Sequence, residues 1–177
     1  MMMLRILLLA LVQTIALAYM IVDRQAVLNA GRVVTLKVTP IDPRDPLRGE
    51  FVILSYDISR LSTGELQGED QFNSTDTVYV TLEKKDETWG PVAIGRRPIA
   101  TPGGVVIKGT VSRADTGTLW VDYGIESYFV PQGMGREIET ERQKGDLSAD
   151  IAIDQNGRAA IKAMRRKGEV FYVEGIL

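Results

Sequence analysis

The sequence predicts a mainly β protein. It should be a single antiparallel β domain, a sheet or partly open barrel, behind an N-terminal transmembrane helix, with room for one short helix. Three observations carry this reading. An unbroken apolar run opens the chain. Segments of period-two alternation recur through the rest. Glycine and proline turn signals separate those segments.

The apolar run, Ile6 to Val22, is interrupted only by Gln13 and Thr14. As a helix it spans roughly 25 Å, and adding Leu4, with Arg5 reaching the headgroups, approaches the ~30 Å of a hydrocarbon core. Tyr19 suits an interfacial anchor. Ala16-Leu17-Ala18 would serve a signal peptidase, but the run continues through Tyr19-Met20-Ile21-Val22, so an uncleaved anchor is favoured. Arg5 precedes the run, while Asp23 and Arg24 cancel after it. This favours a single-pass protein of the cytoplasmic (inner) membrane, N-terminus inside and body outside, periplasmic in a two-membrane cell. The expected division is an anchor over 1–24, a linker over 25–31 and an extracytoplasmic β domain over 32–177.

Val34, Leu36 and Val38 alternate with polar residues before Pro40, and the "IDPRDPLRG" loop follows. In "EFVILSYDI", Val52, Leu54, Tyr56 and Ile58 share one face. Phe51 and Ile53 share the other, so both faces should be covered. Ser59 to Asp76 reads as a long polar loop. "TVYVTLEK" is a strand, "WGPVAIGRRPIATPGG" a connector, and "VVIKGTVS" and "GTLWVDYG" are strands joined around "RADTG". "REIETERQK" holds helix-forming residues. Near the end, Asn156-Gly157 signals a hairpin, "RAAIKAMRRK" reads as a strand in preference to a helix, and Lys167-Gly168 marks a further turn before Val170 to Glu174.

Composition restricts the chemistry. There is no histidine and no cysteine, which excludes histidine general bases, thiolate nucleophiles, zinc-cysteine sites and disulfides. A formal net charge of -2 does not suit a nucleic-acid binder, and no glycine spacing suits a nucleotide phosphate. No cofactor and no metal is expected. Asp42 with Asp45, and Glu65 with Glu69 and Asp70, read as acidic surface loops. Trp89, Trp120, Tyr123, Tyr128 and Phe129 read as core in preference to a ligand surface.

"GEFVILSY", Gly49 to Tyr56, resembles the motif of the GDYXXLXY family, membrane-associated bacterial proteins. Gly49, Leu54 and Tyr56 match; Glu50 stands for the family's Asp and Phe51 for its first Tyr. The preceding "DPRDPLRG" and the later "YFVPQGMGREIE" are similar to family features too. The resemblance implies a membrane-anchored domain of unestablished activity beside multi-spanning membrane proteins. It makes Arg48, Gly49, Glu50, Phe51, Leu54 and Tyr56 candidates for interaction, with Tyr128, Phe129, Pro131, Gly133 and Gly135. The competing reading is that the motif is a loop-to-strand corner of the core, with Gly49 supplying its turn.

A Ser-Lys hydrolase is the enzyme alternative. The anchor, the β domain and "LRGEFVIL" are similar to type I signal peptidases, and Lys108 lies on a later strand. Their nucleophile follows the anchor, whereas Val22 to Gly49 contains no serine. Lys108 is expected to face outward. A small-solute or peptide binding module is a third reading. An accessory module docking on a multi-spanning membrane protein is the favoured one.

Overall fold

The computed structural model describes residues 2–39, 51–129 and 146–173. It opens on a single helix, α1 (Met2–Ala30), about 43 Å long at ~1.5 Å per residue. A stretch within it, Arg5–Asn29, is long and apolar enough to cross a membrane, and the most apolar window of that stretch is not buried against the protein at all. The expected linker over 25–31 is corrected here: α1 runs through Ala30, and only Gly31 separates it from the first strand. Helix-forming Ala26 and Leu28 favour carrying the helix on, and Val27 is 5% exposed because this end packs on the domain.

The strands in chain order are β1 (Arg32–Thr39), β2 (Phe51–Ile53), β3 (Ser55–Tyr56), β4 (Arg60–Ser62), β5 (Gln67–Gly68), β6 (Thr77–Lys85), β7 (Thr88–Gly95), β8 (Val105–Asp115), β9 (Thr118–Asp122), β10 (Ser127–Phe129), β11 (Leu147–Ile153), β12 (Ala159–Arg166) and β13 (Glu169–Val173). One five-stranded sheet has the order β13-β12-β11-β1-β3. A six-stranded sheet has the order β4-β9-β8-β6-β7-β5, and β10 pairs with β2. Alternation fixes the facing: Val34, Leu36 and Val38 of β1 and Ala149, Ile151 and Ile153 of β11 are buried. They share one core with Val78, Val80 and Leu82 of β6, Ile107 of β8 and Val121 of β9. Burying each large aliphatic side chain stabilises by about 1.5–3 kcal/mol.

Two expected loops prove to be structured. The segment after Ser59 supplies both edges of the six-stranded sheet, β4 against β9 and β5 against β7, the latter a parallel pair. Four residues join these edges, which brings them within about 18 Å and curls the sheet into a half-barrel. Arg96 holds the segment by donating to Asp76 Oδ2 at 3.0 Å and to the Gln71 carbonyl at 2.9 Å, with its face 4.9 Å from the Phe72 ring centre. The expected connector carrying Trp89 is β7. Its Pro91 pairs with Leu82 beside the register shift between Thr81 and Leu82, a bulge of the kind where sheets admit proline.

The hairpins follow the turn signals. Gly117 (φ 75°) turns β8 into β9, and Lys167 (φ 50°) with Gly168 (φ 81°) turns β12 into β13. Residues 154–158 join β11 to β12. Asp154 Oδ1 accepts the Asn156 and Arg158 amides, each at 2.9 Å. Gly157 (φ 80°) passes so close to β8 that a Cβ would lie 2.9 Å from the Lys108 nitrogen. Its carbonyl accepts the Lys108 N–H at 2.8 Å, fastening this hairpin of the first sheet onto the second.

Candidate functional site

The motif lies where one strand passes between sheets. β2 pairs with β10, and after a break at Leu54, β3 pairs with β1. The Leu54 N–H bridges the break by donating to the Glu126 carbonyl at 2.7 Å. Leu54 and Tyr56 are each 1% exposed and Ile58 is fully buried, as the period-two reading requires. Ile53 is 47% exposed, so the expectation that both faces are covered is corrected.

Two tyrosines cross-bond this corner. The Tyr56 hydroxyl donates to the Ile125 carbonyl at 2.8 Å, and the Tyr123 hydroxyl donates to the Ile58 carbonyl at 2.8 Å. Each phenol satisfies a carbonyl that would otherwise be buried in an apolar core. Burial pushes the Tyr123 hydroxyl well above its usual range, helped by the nearby carboxylates of Glu126, Asp57 and Asp122, so it stays protonated and donating. Asp57 next to the motif is also raised, chiefly by desolvation, although its outer surface meets solvent. The Tyr56 N–H donates to Ser59 Oγ at 3.1 Å, closing the short 3-10 turn Asp57–Ser59.

An open cleft of roughly 400 Å3 flanks the corner, bordered by Ser55, Ser59, Ser112, Trp120, Asp122 and Glu126 among others. Two of its hydroxyls have partners. Ser59 accepts from Tyr56, and Ser112 Oγ donates to the Trp120 carbonyl at 3.2 Å and lies 3.3 Å from Asp122 Oδ1. Trp120 is clasped between Arg60 and Arg113, 5.5 and 4.7 Å from its ring centre. This single aromatic is a poor rim for a sugar or peptide. Lys108 is exposed on β8, as expected, and the residues bordering the cleft beside it (Gly109, Thr110, Asp122, Tyr123, Gly124, Arg158 and Ala159) include no serine to pair with it. Among the described residues, no group of three or more acidic side chains could hold a metal.

The structure brings together two segments that the sequence offers separately. Phe51 and Val52 of β2 pair with Phe129 and Tyr128 of β10, so the two stretches with family features are neighbouring antiparallel strands. Arg48, Gly49, Glu50, Pro131, Gly133 and Gly135 lie outside the described residues, as do Asp42, Asp45 and the "REIETERQK" stretch. Leu54 and Tyr56 are core residues and do not present their side chains to a partner. Tyr123, expected in the core, is there, and its hydroxyl bond to the Ile58 carbonyl adds a role beyond packing. The one sequence signal for it is that Tyr123 directly precedes a turn glycine, Gly124 (φ 77°).

A family model described as GDYXXLXY protein matches residues 13–164. No curated protein and no solved structure matches the chain.

Proposed function

This chain belongs to the GDYXXLXY family, and from that premise we propose that it is a membrane-anchored accessory module whose β domain docks on a multi-spanning membrane partner. The observation that carries the reading is α1. From Arg5 to Val22 its side chains face away from the domain, and the run is apolar save for Gln13 and Thr14. Such a surface is costly in water and at ease in lipid. With Arg5 before the run and Asp23 and Arg24 offsetting each other after it, the charge bias sets the N-terminus in the cytoplasm and the domain outside.

Confinement to the membrane raises the effective concentration of the domain near any membrane partner, so a modest interface suffices. The contact is the Arg48-Gly49-Glu50 corner, the Tyr128 to Gly135 segment, or α1 itself. Purification of the full chain from native membranes in mild detergent is the test. A stoichiometric multi-spanning companion is expected; recovery as a lone monomer would overturn the reading.

A further inference from the structure

We propose that the 154–158 hairpin rests on the lipid headgroup layer, held there by a rigid mount between α1 and the β domain. This rests on the reading of α1 as a membrane helix. The apolar run of α1 ends at Val22. One residue later, both Asp23 carboxylate oxygens accept from Arg158 Nη1 at 2.8 Å. Arg158 belongs to the hairpin, and its Nε donates to Asp154 Oδ2 at 2.7 Å. A group in contact with the first residue beyond the hydrocarbon-spanning run sits within the headgroup zone, which is only about 5–7 Å deep on each side. The hairpin therefore meets lipid by construction.

The mount has little freedom. Val27, one helical turn beyond Asp23, is buried as α1 packs on β11 and β12. Gly31 follows, and a Cβ there would lie 2.7 Å from the Ile153 nitrogen. Arg32 already pairs with Ile153. No residue is left over to act as a hinge. The hairpin tip is fixed to β8 through the Lys108–Gly157 bond as well.

The chemistry of the tip suits headgroups and excludes insertion. Asp154, Gln155, Asn156, Gly157 and Arg158 include no apolar side chain to bury in hydrocarbon. The Arg158 charge is met by two carboxylates, and Lys108 stands exposed beside the tip. Phosphate and ester groups can hydrogen-bond the exposed amides of Gln155 and Asn156.

Because the chain has no cysteine, single labels are unambiguous. Gln155→Cys, Asn156→Cys and Val12→Cys versions of the full chain would each carry an environment-sensitive fluorophore. They would be placed in phosphatidylcholine–phosphatidylglycerol vesicles containing nitroxide lipids, labelled either at the headgroup or deep in the acyl chain. The headgroup nitroxide is expected to quench the Gln155 and Asn156 labels at least twofold more than the deep one, with the reverse order at Val12. Normal deep quenching at Val12 with none at either hairpin position would overturn the headgroup contact and leave the membrane helix standing. Stronger deep than shallow quenching at the hairpin would overturn it in favour of insertion. Absence of quenching at all three positions would remove the membrane seat, and this proposal with it.

Discussion

Two junctions hold this molecule together, and they are built differently. At the motif corner, the Tyr56 and Tyr123 hydroxyls donate to the Ile125 and Ile58 carbonyls inside the core. At the helix mount, one buried valine and the solvent-facing Asp23–Arg158 pair, backed by the largely buried Asp154, fasten α1 to the domain. Loss of a partner in the core leaves an unsatisfied group in low dielectric, whereas loss of a surface ion pair returns its charges to water. The difference teaches that the corner sets whether the domain folds, and the mount sets how the folded domain is held. The family motif therefore acts first on architecture, by way of Leu54 and Tyr56.

The largest expected effect is at the corner. Tyr56→Ala should cost about 3–5 kcal/mol of domain stability, from the cavity together with the stranded Ile125 carbonyl. Denaturant unfolding measures it, and a loss below about 1 kcal/mol would break the contrast. Gly31→Ala comes next. Its Cβ must push against the Ile153 backbone, costing roughly 1–3 kcal/mol, seen as faster amide exchange at the β1–β11 pairing beside it. Tyr56→Phe keeps the ring and removes only the hydroxyl. A loss of about 1–2 kcal/mol is expected, and a neutral result would show that Ile125 finds another donor.

Arg158→Ala is the smallest of the substitutions, with domain stability changed by less than about 1 kcal/mol. It should instead loosen α1, detected as faster proteolysis at residues 24–30. Acid should act on the same junction. Burial pulls the Asp154 carboxyl upward, but hydrogen bonds from the side chain and backbone of Arg158 and the backbone of Asn156 outweigh it, so its pKa is lowered. A lowered aspartate stabilises the folded form above its unfolded value of about 3.9, and this contribution is lost as pH falls through the folded value. Faster amide exchange in the 154–158 hairpin should therefore appear below about pH 4 in wild type and be blunted in Arg158→Ala.

These two junctions also mark how far the sequence could be read. The strands β1, β6, β8 and β11 announce themselves by alternation, β12 by the turns that flank it, and the apolar run marks α1. The inward set Leu54, Tyr56 and Ile58 follows from spacing alone. The edges β4 and β5 are two or three residues long and polar, so no period can emerge from them. They are held by the strands they pair with, β4 by β9 and β5 by β7. Proline and glycine disguise β7, because a bulge admits what a regular ladder would not. The last turns of α1 resemble a linker since Gln25 and Asn29 are polar, and their packing on β11 and β12 is not visible in a local pattern. Tyr56 and Ile125 are 69 positions apart, and no local pattern encodes a bond between them.

The central claim is that α1 and the β domain form one rigid piece. Spin labels at Tyr19→Cys and Thr116→Cys, both exposed positions, test it most directly through their distance distribution in lipid vesicles. A single narrow distance is predicted. A spread of roughly 15 Å, as a flexible seven-residue linker over 25–31 would produce, would contradict it.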